Sequence, residues 1–226
     1  VTLSSKGRGF ATAVFGPVAA LLVRLRVSPD VVTALGTLAV MACALVLFPS
    51  GRLALGALLV GLSALTDTID GQMARRIGRT GPWGAFLDST LDRFADGAIF
   101  AGLVLWGAAR AGEGTALHDP AWAAGAALAC LFLGSIVPYA RARAEGLGMT
   151  ASVGVAERTD RLVVTLVATL AVGLGAPVAV LTVALGLLAV ASAVTVVQRM
   201  VTVYRQATAM PAPAAPGAGG GERGAS

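Results

Sequence analysis

The chain has 226 residues, of which 56% are hydrophobic and only 13% charged, and its formal net charge is +5. Its mean hydropathy of +0.80 is rare in water-soluble globular domains and points to a membrane protein. No recognisable nucleic-acid module accounts for the basic charge, which anionic lipid headgroups and membrane topology explain better.

The first 26 residues carry Lys6, Arg8, Arg24 and Arg26 and lack the uninterrupted apolar core and small-residue cleavage site of a signal peptide. Phe10, Val14, Val18, Leu21, Leu22 and Leu25 fall at roughly helical spacing. That pattern predicts an interfacial amphipathic helix lying on the membrane, interrupted at Gly16-Pro17. Six apolar blocks follow, at residues 31–49, 53–65, 94–109, 121–137, 162–174 and 178–197. A spanning helix needs about 20 mostly apolar residues. The second and fifth blocks reach that length by running into their polar ends, toward Arg75 and back toward Glu157. The expected architecture is an all-α, polytopic membrane protein with six transmembrane helices. Residues 1–206 are expected to form the membrane domain. Residues 207–226, rich in Ala, Pro and Gly, lack a core-forming face and read as a disordered tail.

Basic residues set the orientation. With the N-terminus in the cytoplasm and six alternating spans, every Lys and Arg except Arg52 and Arg110 falls at or near the cytoplasmic face. This predicts a multi-pass protein of the plasma membrane whose acidic cluster faces the cytoplasm. Cys43 and Cys130 sit inside predicted spans with no Cys or His at metal-ligand spacing, and read as small apolar side chains. His118, in the outer loop "GEGTALHDP", reads as solvated.

The stretch from Asp67 to Asp92 carries four carboxylates, at Asp67, Asp70, Asp88 and Asp92, in a chain with only 12 acidic residues. Spacings of three and four put each pair on one helical face. Gly78, Gly81, Pro82 and Gly84 between them read as a turn joining antiparallel helices, which would bring the pairs face to face. Clustered carboxylates at a membrane edge repel one another and resist desolvation. Helix capping and surface charge would account for one such pair; two pairs around a turn suggest a ligand. Oxygen-only donors without Cys or His favour Mg²⁺, Mn²⁺ or Ca²⁺ over zinc. Gly71, Ala74 and Gly84 leave backbone open to a ligand, although close helix packing also favours small residues. Arg75 can meet an anion. Divalent metal, arginine and open backbone together fit a phosphorylated ligand, especially a pyrophosphate.

These residues read Asp67-x-x-Asp70-Gly71-x-x-Ala74-Arg75, eight residues, Gly84-x-x-x-Asp88-x-x-x-Asp92. The pattern resembles the signature of the CDP-alcohol phosphatidyltransferase family. The resemblance implies a six-helix membrane enzyme, usually a homodimer, that moves a phosphatidyl group from a CDP-linked lipid to an alcohol and releases CMP. Within the family the chain is most similar to the bacterial phosphatidylinositol-phosphate synthases, through "VSPDVVTALGT", "GAFLDSTLDRFADGAIF", "RARAEGLG", "GVAERTDRLVV" and "VVQR". It departs from them at Pro138 and Arg141, where they usually have serine and lysine, and at Asp160, where they have glutamate.

The likeness implies CDP-diacylglycerol as donor and 1D-myo-inositol 3-phosphate as acceptor. The acceptor phosphate would sit on Arg141, Arg158 and Arg199. Asp67, Asp70 and Asp88 would ligate two Mg²⁺ ions, with Mn²⁺ as a substitute. Asp92 would complete the metal site and take the acceptor proton. Asp30, Val31, Val32, Thr33, Gly71, Ala74, Arg75, Gly81 and Gly84 would line the CDP-lipid site. Asp96 extends the acidic stripe by one turn and is given no chemistry. Arg143, Arg161 and Arg205 read as positive-inside anchors. One rival keeps the reaction and changes the acceptor, for example to glycerol 3-phosphate. Another is a cation transporter, although there is no internal repeat and the carboxylates lie toward one end of their spans.

Overall fold

The computed structural model describes residues 16–64, 69, 71–73, 76–78, 81–155 and 157–209. Asp67, Asp70, Ala74 and Arg75 lie outside the described residues, as do 1–15 and 210–226. Among the described residues the structure is helical, with no strand. The main elements are α1 (Pro29–Leu47), α2 (Leu53–Ala64), α3 (Pro82–Ala108), a 3₁₀ turn (Ala116–His118), α4 (Pro120–Glu145), α5 (Arg158–Gly173) and α6 (Val178–Ala209).

Local chemistry sets the starts of these helices. Pro29, Pro82 and Pro120 stand in the first turns of α1, α3 and α4, where a missing N–H costs nothing and φ is already helical. Asp119 caps α4, accepting from the Ala121 N–H at 2.9 Å. Glu157 and Asp160 form a reciprocal capping box at the start of α5, in which the Glu157 N–H donates to Asp160 Oδ2 at 3.2 Å.

The helices form a closed ring. α1 packs on α2 and α3, α3 on α4, α4 on α6, α6 on α5, and α5 back on α2. Their directions alternate along the chain. Trp83 near the start of α3 bonds Asp30 near the start of α1, and Arg110 beyond the end of α3 reaches the Pro49 carbonyl beyond the end of α1. α5 begins at this same end, because Arg158 meets Asp92. α4 and α6 begin at the opposite end, where Thr182 donates to the Leu117 carbonyl just before α4. So does α2, whose Ala54 backbone lies against Gly173 at the end of α5.

The centre is filled by Phe48, Val60, Leu103, Trp106, Leu181 and Leu185. Gly102 lets α3 approach α1 so closely that a Cβ there would strike the Ala44 carbonyl. Polar side chains are buried as well: Thr165, Thr169, Ser192, Thr195, Arg161 and Arg199. Large apolar side chains such as Leu38, Val46, Leu62, Phe132 and Leu187 point outward. An apolar exterior around a partly polar interior suits a lipid solvent.

Among the described residues, three helices, α1, α4 and α6, are long and apolar enough to cross a membrane. The expectation of six is met only in this coarser form. The described part of α2 has 12 residues and α5 has 16, while the first half of α3 carries Asp88, Asp92, Arg93 and Asp96. α3 begins well before the apolar block at 94–109, so the charged stretch and the apolar stretch are one continuous helix. Residues 16–24 are helical, with Val18 and Leu21 exposed. The described part of this helix opens at Gly16-Pro17, and the residues before it, on which the expected break depends, lie outside the described residues. α6 remains helical through residues 207–209, the beginning of the expected tail. Cys130 is buried and Cys43 half-buried, both as free thiols, and His118 is exposed.

Candidate active site

Asp88, Asp92 and Asp96 follow one another at intervals of four on the first half of α3, which stacks them on one helical face. Asp88 is exposed. The capping box at Glu157 and Asp160 fixes the first turn of α5 and so aims Arg158 and Arg161 across at that face. Arg158 Nη2 lies 2.8 Å from Asp92 Oδ1, and Arg158 Nε donates to Asp96 Oδ1 at 3.3 Å. Arg161 Nη2 is 3.7 Å from Asp96 Oδ2. Arg93 Nη2 stands 3.9 Å from Asp92 Oδ2 and 3.8 Å from Asp96 Oδ2. These pairs are partly buried, so water screens them less than it would an exposed pair.

Asp92 and Arg158 open onto a crevice where four helices meet. Gly36, Thr37 and Val40 of α1, Val60 of α2, Ala95 and Ile99 of α3 and Leu162 of α5 complete its walls. Near the starts of α1 and α3, Trp83 Nε1 donates to Asp30 Oδ2 at 3.2 Å. Val31 is exposed and Val32 half-buried, and Thr33 Oγ1 donates to the Pro29 carbonyl at 3.1 Å. Gly81 and Gly84 border open space, with no atom within 4 Å of where a Cβ would stand. Gly71 is helical and half-buried.

The other two arginines expected at an acceptor phosphate are placed differently. Arg199 is buried; its Nε donates to the Val153 carbonyl at 2.9 Å and its Nη1 to the Val137 carbonyl, next to the helix-internal Pro138. Arg141 is exposed and pairs with Glu145 at 2.8 Å. Both Arg141 and Arg161 stand close enough to repel Arg199 electrostatically, and Arg158 acts on Arg161 in the same way. The four guanidiniums lie toward one end of the bundle, with Asp92, Asp96 and Glu145 paired among them.

Arg161 corrects a sequence expectation. It is no interfacial anchor: its side chain is 3% exposed and faces Asp96. Arg143 and Arg205 are exposed, as anchors would be. Sequence reasoning also missed the Trp83–Asp30 bond and the convergence of three guanidiniums on Asp96. The three-residue spacing of Arg158 and Arg161, matched by the four-residue spacing of Asp92 and Asp96, was the available signal.

No group of three His, Cys, Asp or Glu side chains is gathered for a metal ion among the described residues. Asp88 and Asp92 are two of the four carboxylates expected to act together. Their donor atoms are carboxylate oxygens with neither thiolate nor imidazole beside them, which fits a hard divalent cation.

A family model for CDP-alcohol phosphatidyltransferase matches residues 26–203. The phosphatidylinositol phosphate synthase of Streptomyces avermitilis is 46% identical over 210 residues, covering 90% of this chain and 83% of that protein. The crystal structure of Mycobacterium tuberculosis phosphatidylinositol phosphate synthase with CDP-DAG bound superposes with a TM-score of 0.76 at 40% identity, covering 85% of this chain and 94% of that one. The same enzyme in complex with manganese and citrate gives a TM-score of 0.75 at 41% identity, covering 83% and 88%. These matches set aside the transporter reading: the chain is an enzyme of phospholipid biosynthesis and belongs to the CDP-alcohol phosphatidyltransferase family.

Proposed function

We propose that this enzyme transfers the phosphatidyl group of CDP-diacylglycerol to a hydroxyl of 1D-myo-inositol 3-phosphate, giving phosphatidylinositol phosphate and CMP. The observation that carries the reading is the contact of Arg158 with Asp92 in one crevice. It sets a cation suited to a phosphate beside a carboxylate suited to a hydroxyl proton. The printed names of the relatives in Streptomyces avermitilis and Mycobacterium tuberculosis support the same acceptor class.

In this mechanism Asp30 to Thr33, Gly71, Ala74, Arg75, Gly81 and Gly84 surround the CDP moiety. Asp67, Asp70, Asp88 and Asp92 would hold two Mg²⁺ ions, with Mn²⁺ able to replace them; the manganese complex of the mycobacterial enzyme supports divalent metal use. When bound, such ions neutralise the diphosphate and the charge that develops on the leaving group. Arg158, with Arg141 and Arg199, holds the acceptor phosphate. Asp92 accepts the proton of the acceptor hydroxyl as its oxygen forms a new bond to the lipid-side phosphorus. The bond from that phosphorus to the CMP oxygen breaks, and CMP leaves with the electron pair.

The alternation of helix direction along the chain and the gathering of arginine at one end support six membrane spans in the plasma membrane, with the active site toward the cytoplasm. The exposed apolar side chains within residues 16–24 support an interfacial helix before them. Residues 1–206 would make up the membrane domain, the Ala/Pro/Gly-rich residues beyond the end of α6 at Ala209 a disordered tail, and the working form a homodimer.

The test supplies purified enzyme in lipid nanodiscs with CDP-diacylglycerol and one acceptor at a time, with and without Mg²⁺. CMP release and the mass of the lipid product are followed. Formation of phosphatidylinositol phosphate only with metal and inositol phosphate is expected. Preferential formation of phosphatidylglycerol phosphate from glycerol 3-phosphate would overturn the acceptor but keep the reaction.

A further inference from the structure

The Asp96 carboxylate takes no part in the chemistry proposed above, yet three guanidiniums converge on it. Arg158 Nε is 3.3 Å from Oδ1, and Arg161 Nη2 and Arg93 Nη2 are 3.7 and 3.8 Å from Oδ2. A guanidinium is a rigid planar fork, so fixing one edge fixes the direction of the other. Arg158 gives its Nε edge to Asp96 and its Nη2 to Asp92 at 2.8 Å. The backbone of Arg158 is set by the capping box at Glu157 and Asp160. The opposite side of Asp96 is held by Arg161, which is itself buried.

We propose that Asp96 is a positioning residue that tethers Arg158 by its Nε edge, so that the Nη edge is presented first to Asp92 and then to the phosphate of the acceptor. This rests on the reading that Arg158 meets the acceptor phosphate. Without the tether, the fork is able to turn and bind both oxygens of Asp92, the favoured bidentate geometry of an Arg–carboxylate pair. With it, the Nε edge stays on Asp96 while Nη2 engages Asp92. An arriving phosphate draws that nitrogen away and leaves Asp92 Oδ1 open to the hydroxyl proton.

The experiment measures steady-state kinetics of the full-length enzyme in nanodiscs, varying inositol phosphate and CDP-diacylglycerol separately. For Asp96→Asn, the acceptor KM is expected to rise about tenfold, as for a lost charge-assisted contact, while the KM for CDP-diacylglycerol stays within about twofold. Asp96→Glu should recover part of the loss. The double variant Asp96→Asn/Arg158→Ala should be no worse than Arg158→Ala alone, because Asp96 acts through Arg158. Equal increases in both KM values, or additive losses in the double variant, would overturn the inference. If Arg158→Ala leaves the acceptor KM unchanged, the underlying reading of Arg158 fails. If it raises that KM and Asp96→Asn does not, the tether alone fails. Should Asp96→Asn not fold, Arg158→Lys carries the test: it keeps the charge but has no second edge for Asp96. An acceptor KM that stays at the wild-type value in Arg158→Lys would then overturn the proposal.

Discussion

Arg158 Nη2 stands 2.8 Å from Asp92 Oδ1, joining the first turn of α5 to the third turn of α3. These two turns are far apart in sequence, and each is anchored by its own helix start, a capping box for α5 and Pro82 for α3. The proposed general base therefore has its guanidinium partner delivered by the fold.

Asp92→Asn tests the proton acceptor. The amide is isosteric and still accepts a hydrogen bond from Arg158, but it cannot take a proton. CMP release should fall by about 10²–10⁴-fold, the usual range for a lost general base. Mn²⁺ binding, followed by electron paramagnetic resonance, should largely persist through the remaining carboxylates. Turnover near the wild-type rate would remove Asp92 from that role.

Arg161→Met tests whether this guanidinium belongs to the interior. Methionine fills most of the volume and removes the charge that faces Asp96. Because Asp96 keeps Arg158 and Arg93 as partners, the cost should lie below that of a fully orphaned buried charge, at about 2 kcal/mol. Thermal unfolding in detergent measures it. An interfacial anchor would be replaced with no change in melting temperature.

Much of this architecture could be read from the chain, and the failures have identifiable causes. The apolar blocks gave the all-helical character and the order of the helices, because burial in lipid demands long runs of apolar residues. The spacing of Asp88 and Asp92 gave their shared face. Asp88 and Asp92 read as the start of the third span, and they do lie on one continuous helix with its apolar block. Arg161 was misread because a basic residue beside an apolar block has the same local signature whether it points to headgroups or inward. Only the position of Asp96 across the bundle decides between them, and that is a tertiary fact. The local partners of Arg141 and Arg199 were equally illegible: one pairs with Glu145, and the other gives two of its donor groups to main-chain carbonyls.

Trp83→Phe separates donor from acceptor binding. Trp83 Nε1 ties the start of α3 to Asp30 in the stretch proposed to meet the nucleotide, while its ring packs near Phe86 at a centroid distance of 6.0 Å. Phenylalanine keeps the ring and loses the donor. The bond is exposed, so its loss should raise the KM for CDP-diacylglycerol only about three- to fivefold, equivalent to a single modest hydrogen bond. The acceptor KM should not move, and titration of each substrate in turn reads both values. A shift confined to the acceptor would place Trp83 elsewhere in the reaction.

Metal dependence is best tested at Asp88. Asp92 is engaged by Arg158 and Arg93, so replacing it disturbs ion pairs along with any metal. Asp88 is exposed and, among the described residues, makes no salt bridge. Its removal should therefore leave the helix packing intact and change ion binding alone. EDTA should stop CMP release by the wild-type enzyme, and Mg²⁺ or Mn²⁺ should restore it. In Asp88→Asn, the concentration of Mg²⁺ giving half-maximal rate should rise at least about tenfold, because a hard cation loses a charged oxygen ligand. The melting temperature without metal should match the wild type. An unchanged Mg²⁺ requirement, with CMP release intact, would take Asp88 out of the metal site.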